Sequence, residues 1–268
     1  MGRCPNKRNK RGKMTTEKVQ ILQRVIDILD CFTLERPALG VREVARMVDL
    51  SSSTTGRLMS AMRDLRILSQ DPVTKTYSIG SRVLTWAGIY TATSDLRAVS
   101  LPIMVNLLEQ TRETISLYVL EGRERVCIER LESPEPVRIT ARVGRRIPLY
   151  AGSAGKCMLA FMPETKREEI INKIVLTPLT ANTIRDKDVL RADLETIRKE
   201  GCAASYGEWI MEASGVAAPI YNEYGNLVAA LTISGPGQRF TSEKIDDYKR
   251  LVKEKALDIS MKLGYTPR

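Results

Sequence analysis

The chain of 268 residues contains no histidine. That removes imidazole zinc sites, Ser-His-Asp triads and the commonest general base together. Aromatic residues make up only 5%, with three Phe and two Trp. Cysteine is sparse too. Cys4, Cys31, Cys127, Cys157 and Cys202 are scattered and form no CxxC pair. An odd, scattered set reads as free thiols in a reducing cytoplasm, not as a disulfide scaffold. No apolar run approaches the roughly 20 residues that span a bilayer. The N-terminus, MGRCPNKRNKRGK, is basic but no apolar stretch follows it, unlike a secretory signal. With Gly 17 and Pro 12, collagen-like and low-complexity classes are excluded.

What is present is an ordinary globular composition, 43% hydrophobic and 28% charged, of a length for one to two domains. The net charge of +10 is uneven. Residues 1–92 hold 16 Lys/Arg against 8 Asp/Glu, while residues 93–268 hold 26 against 24. A basic first third on a near-neutral remainder points to an anionic partner for that third, with nucleic acid the leading candidate and a solvated charged face the alternative.

Residues 1–13 carry six basic and no acidic residues, and are expected to stay unfolded because they have too little to bury. Met14 resembles a natural start. From Lys18 the period is helical, with Ile21, Leu22, Val25, Ile28, Leu29 and Phe32 at three- and four-residue spacing and Thr15 or Thr16 as cap. A short helix carries Val41, Val44, Ala45 and Val48 on one face. After a turn at Asp49-Leu50, Ser51 caps a third helix running to about Leu65. ILSQDPVTKTYSIG reads as a hairpin turning at Asp71-Pro72 and Lys75. A linker helix spans residues 80–94. Beyond it, helices are expected over Leu101–Arg112, from Ser153, over Glu164–Ile174, Lys187–Glu200 and Ser242–Leu263. Strands are expected in TISLYVLEGRERVCIERLES, at the start of PVRITARVGRRIPL, and in GCAASYGEWI, GVAAPIYNEYG and NLVAALTISGP. Adjacent strands with helices around them make an α+β domain over residues 95–268. The winged helix-turn-helix occupies residues 14–79.

VREVARMVDLSSSTTGRLMSAM has helix-turn-helix spacing. The small Ala45 sits where the two helices cross, and the turn follows four residues later. In the third helix Thr55, Leu58, Met62 and Leu65 share one face and are expected in the core. Ser53, Gly56, Arg57, Ser60 and Asp64 lie roughly opposite. A basic, hydroxyl-bearing face suits a major groove, and a helix start rich in hydroxyls suits phosphates. The candidate DNA-binding residues are Ser51, Ser52, Ser53, Thr54, Gly56, Arg57 and Ser60, with Lys75 at the wing tip. A small helical bundle with a solvated polar face is the competing reading.

These residues resemble the IclR family of bacterial transcriptional regulators. The likeness runs from about Val19 to Tyr265. LSSSTTGRLMSAMRDLRILSQDPVTKTYSIG is similar to the family's recognition helix and wing, RRIPLYAGSAGKCMLAFM to its effector-domain loop and helix, and EGCAASYGEWIMEASGVAAPIYNEYGNLVAALTISGP to its long C-terminal signature. The resemblance implies a winged helix joined by a linker helix to a GAF-like, antiparallel-sheet ligand-binding domain, in homodimers or tetramers without catalysis. The chain departs from the family's pattern at Gly56, where a larger side chain is usual, at Thr55 for an aliphatic, at Asp49 for Gly and at Ser52 for Lys.

The same resemblance implies an effector site at Ser153, Ala154, Ser205, Gly215, Thr232 and Ser234. A helix start capped by Ser153 would attract a carboxylate, and alternation puts Thr232 and Ser234 on one strand face. Tyr206 and Trp209 are candidates for the cavity wall or the core, and Glu212 for the pocket mouth or a solvated loop. None of the motif positions is Lys or Arg, so partial charges would hold a small organic acid with micromolar affinity. The function implied is a ligand-responsive, sequence-specific, cytoplasmic DNA-binding regulator, more often a repressor. It would need no cofactor, metal or membrane, and its partners would be operator DNA and a small-molecule effector. The alternatives are a small-molecule enzyme fused to a DNA-binding domain, with Cys157 or Cys202 as nucleophile, and a DNA-packaging protein. The first lacks a His to activate its thiol, and the second has no use for a large sheet domain.

Overall fold

The computed structural model describes residues 20–92, 95–139 and 142–267. The basic segment 1–13, Met14 and the candidate caps Thr15 and Thr16 lie outside the described residues. The chain divides into two compact units, residues 1–93 and 94–268.

In the first unit, helix α1 is described over residues 20–30, followed by α2 (Val41–Met47) and α3 (Ser52–Asp64). Strands β1 (Leu68–Gln70) and β2 (Tyr77–Ile79) form an antiparallel wing, and Leu39 adds a bridge to Tyr77. Helix α4 (Arg82–Ala92) closes the unit. Ile28, Val44, Met59, Met62, Leu68 and Tyr77 form its core. The inward stripe of α3 is therefore Thr55, Met59 and Met62, spaced four and three residues apart. Leu58 is half-buried and Leu65 is 53% exposed, contrary to the expected core face. The reason is where α3 stops. Leu65 is its C-cap, and the chain turns away through Arg66 at φ 61°. In α1, Ile21 and Leu22 are exposed, so the apolar period there is only partly a core signal for this unit. Gly80 is required at the end of the wing, because a Cβ there would lie 2.3 Å from the Arg66 carbonyl oxygen.

The second unit opens with α5 (Asp95–Thr111), six residues earlier than the sequence pattern suggested. Six antiparallel strands follow in the spatial order β5-β4-β3-β8-β7-β6. They are β3 (Thr114–Glu121), β4 (Glu124–Leu131), β5 (Arg146–Pro148), β6 (Ala203–Tyr206), β7 (Ala213–Tyr221) and β8 (Leu227–Pro236). Of the strand expected at the start of PVRITARVGRRIPL, residues 136–139 are described and carry no strand. Residues 132–139 instead leave the sheet, tied down by Arg112 to Glu135 (2.8 Å) and by Arg239 Nη1 donating to the Val137 carbonyl (2.8 Å). Helices α6 (Ser153–Phe161), α7 (Glu164–Lys173) and α8 (Lys187–Glu200) cover one face of the sheet. Helices α5 and α9 (Ser242–Lys262) cover the other. Both sheet faces are thus buried, which is why β3, β7 and β8 read as nearly continuous runs of small and apolar residues.

Candidate DNA-binding face and ligand cavity

Ser51 caps α3. Its Oγ accepts from the Thr54 N–H at 3.2 Å and pairs with the Thr54 hydroxyl at 2.9 Å. Ser52, Ser53 and Arg57 are exposed, while Thr54, Gly56 and Ser60 are partly exposed. Lys75 is exposed at the wing turn in a left-handed conformation, φ 59°. That turn is held by Asp71, whose Oδ1 accepts from Val73 N–H (2.8 Å) and Thr74 N–H (2.7 Å). These bonds hold its carboxyl below the usual range. Asp49, at φ 51°, occupies a left-handed turn between α2 and α3, the conformation that makes Gly the easier residue there. The sequence pattern missed Arg63. Its guanidinium pairs with Asp64 (2.7 Å), donates to Ser60 Oγ (3.0 Å) and reaches Gln70 Oε1 on the wing (3.0 Å). It fixes the wing strand against the outward side of α3.

All six residues implied for the effector site line one cavity of about 60 Å³ in the second unit. The sheet supplies its floor. Ser205, Gly215 and Ser234 are neighbours across β6, β7 and β8, with Ser234 opposite Thr114 on β3, and Thr232 lies opposite Ser116. Thr232 Oγ1 donates to the Ser116 carbonyl at 3.2 Å. A Cβ on Gly215 would sit 3.2 Å from Ser153 Oγ, so the glycine keeps floor and helix apart.

Three features of the cavity differ from expectation. First, Ser153 is not the helix cap. Gly152 is, at φ 81°, and Ser153 is the first helical residue. The first amides of α6 already have partners, Gly152 N–H on Glu208 (2.9 Å) and Ser153 N–H on Ser205 Oγ (2.9 Å). Second, Tyr206 is 49% exposed and outside the wall. Trp209 does line the cavity, with Arg145 Cζ 4.4 Å from its ring centroid. Glu212 is exposed and outside the wall.

Third, the cavity contains full charges. Arg125 and Arg130 both line it, as does Glu208. Arg125 is 4% exposed, and its Nη1 donates to the carbonyls of Pro148 (3.0 Å) and Ala151 (2.6 Å). Its Nε has no acceptor. Burial lowers its proton affinity. Gly152 and Gly155 leave it room: a Cβ on Gly155 would lie 2.5 Å from Arg125 Nη1. Arg130 donates through Nη2 to the Ile139 carbonyl and also keeps a buried Nε without an acceptor. Buried Lys156 is shared by two carboxylates, with its Nζ 2.5 Å from Glu208 Oε1 and 2.9 Å from Asp193 Oδ2. Tyr118 lies between the two arginines, with Arg125 Cζ 5.4 Å from its ring centroid.

Neither candidate nucleophile is positioned for chemistry. Cys157 and Cys202 are buried, and burial pushes both thiols up, Cys157 strongly.

A winged helix-turn-helix in one unit and, in the other, a sheet domain with a small polar cavity define a ligand-responsive DNA-binding regulator. Residues 21–72 match the IclR helix-turn-helix domain, and residues 89–261 match the bacterial transcriptional regulator IclR C-terminal domain. The chain belongs to the IclR family of bacterial transcriptional regulators. It is 33% identical to the HTH-type transcriptional repressor AllR of Escherichia coli (strain K12) over 245 residues, 91% of this chain and 90% of that one. It is 29% identical to the HTH-type transcriptional regulator KipR of Bacillus subtilis (strain 168) over 233 residues, 87% of this chain and 93% of that one. Its structure is similar to that of Thermotoga maritima IclR, with TM-score 0.73 and 30% identity, covering 94% of this chain and all of that one. It is also similar to an IclR homologue from Microbacterium hydrocarbonoxydans solved with 4-hydroxybenzoate, with TM-score 0.78 and 31% identity, covering 91% of this chain and 98% of that one. These relatives are regulators, not enzymes.

Proposed function

We propose that the protein is a repressor whose hold on operator DNA is set by a small organic acid bound in the cavity. Helix α3 enters the major groove. Ser51, Ser52, Ser53 and Thr54 meet phosphates at its start, Gly56, Arg57 and Ser60 face the bases, and Lys75 contacts the backbone through the wing. Ser153, Ala154, Ser205, Gly215, Thr232 and Ser234 surround the ligand. The protein acts as a homodimer or tetramer. Effector and operator are coupled because the effector binds one conformation of the chain better than the other.

One observation carries the acid reading: the guanidinium of Arg125 is buried in the cavity wall and, among the described residues, forms no direct ion pair with a carboxylate. A buried cation of this kind favours an anion beside it. The ligand is therefore held by full charge, and not by partial charges alone as the motif positions suggested. In support, the family relatives are regulators, and the Microbacterium homologue was solved with an aromatic carboxylic acid.

The test joins a thermal-shift screen of small acids with operator mobility shifts at fixed salt. An acid that binds the folded chain raises its melting temperature and changes operator occupancy. Arg57→Ala weakens the operator complex by about 1–3 kcal/mol and leaves the acid's thermal shift unchanged. A neutral compound as the tightest ligand would remove the acid, and unchanged operator affinity would remove Arg57 from the interface.

A further inference from the structure

We infer that the effector is a small dianion, a dicarboxylate of a few carbons whose two acid groups engage Arg125 and Arg130. This deepens the acid reading above and rests on it.

The inference starts from the charges in the cavity wall. Two guanidiniums line it, and among the described residues neither forms an ion pair with a carboxylate. The acid in the wall is Glu208, which shares Lys156 with Asp193 and pairs directly with neither guanidinium. The call for two acid groups therefore comes from geometry: two separate forks, each with a buried Nε–H that lacks an acceptor.

The two cations are also separate in space. Arg125 and Arg130 lie near opposite ends of β4, opposite Leu120 and Ser116 of β3 respectively. Tyr118 sits between them and lines the same cavity. They therefore bracket the ligand from two sides and do not make one double clamp. Each guanidinium retains a buried Nε–H that has no acceptor, while part of its hydrogen bonding is spent on carbonyls. A planar carboxylate is the natural complement of each fork. The cavity is small, about 60 Å³, so the acid groups stand on a short carbon chain. The hydroxyls of Ser205, Thr232 and Ser234 on the floor suit its polar edges.

The full-length chain is titrated calorimetrically with pairs of equal carbon count: succinate against butyrate, and malonate against propionate. A short phosphorylated monoacid is added as a second kind of dianion. The diacids should bind about 10- to 100-fold more tightly than their monoacid partners, the worth of one further charge-assisted contact. Arg130→Gln should bring that ratio close to one while leaving monoacid affinity within a few-fold. Because Arg125 also braces Pro148 and Ala151, its test is Arg125→Lys, which keeps the charge and loses the fork. That change should weaken diacids and monoacids alike. Diacids no tighter than monoacids would overturn the dianion and leave the acid reading standing. Binding by no anion at all would overturn both. A phosphorylated acid tighter than every diacid would overturn the dicarboxylate assignment.

Discussion

At the residue scale, Gly56 separates packing from recognition. A mid-helix glycine costs about 1 kcal/mol relative to alanine, so its presence in α3 needs a reason. Packing does not supply one: an added Cβ would meet only Val41 Cγ1, at 3.5 Å, an ordinary contact. Compare Gly155, where a Cβ would fall 2.3 Å from the Leu149 carbonyl oxygen. Gly56→Ala should therefore stabilise the folded chain by up to about 1 kcal/mol in chemical denaturation. If the helix backbone approaches a base at this position, the same change should weaken operator binding. A variant that is more stable and binds equally well would show that Gly56 merely lacks a base contact. Asp49 at φ 51° shows the converse, a left-handed turn occupied by a residue other than glycine.

At the scale of elements, chain-local chemistry made some features legible. Helix α8 occupies Lys187–Glu200, as its amphipathic pattern indicated. Asp186 caps its start, accepting from Asp188 N–H (2.8 Å) and Val189 N–H (3.0 Å), and Gly201 ends it at φ 76°. The hairpin between β7 and β8 was legible for the same reason, from a turn signal near Tyr224-Gly225-Asn226 between two β-prone runs. The cavity was legible only where motifs mark it. Ser205, Gly215, Thr232 and Ser234 carry motif chemistry, but nothing in the sequence pattern singled out Arg125 and Arg130. Their burial comes from α6 closing over β4 and from glycines far away in sequence, so no local period reports it. Residues 136–139 were misread because Val137 and Ile139 pattern like a strand, whereas residues 132–139 are held by long-range arginine contacts. The Asp186 cap gives a pH test. Hydrogen bonds from two amides hold its carboxyl below the ordinary range, so the folded value is depressed. The stability it contributes is complete above the unfolded value, about 3.9, and is lost as pH falls through the folded value. Asp186→Asn keeps a capping oxygen without the titration. The melting temperature of the wild type should therefore fall more steeply than that of the variant below about pH 4. Parallel curves would place the acid sensitivity elsewhere.

At the scale of the whole molecule, α4 carries a surface that its own unit does not cover. Leu84 is 74% exposed, Tyr90 51% and Trp86 48%, although the helix is apolar through most of its length. Ile21, Leu22 and Ile26 on α1 are exposed as well. Exposed apolar groups concentrated on two helices of one small unit mark an interaction surface. The proposed homodimer or tetramer would place a second copy of the chain on it. Two recognition helices joined through such a surface read two half-sites, and the second contact benefits from a high effective concentration. Replacing Leu84 and Trp86 with Glu puts charge on that surface without disturbing the core of Ile28, Val44, Met59 and Leu68. Sedimentation of the double variant should show a smaller species than the wild type at equal concentration. Operator affinity should fall at least about 100-fold, the scale of lost bivalency, while the thermal shift produced by an acid ligand in the second unit is retained. A variant that keeps the wild-type mass would move the subunit interface off α4. One that loses mass but binds operator equally well would mean that a single winged helix suffices for recognition.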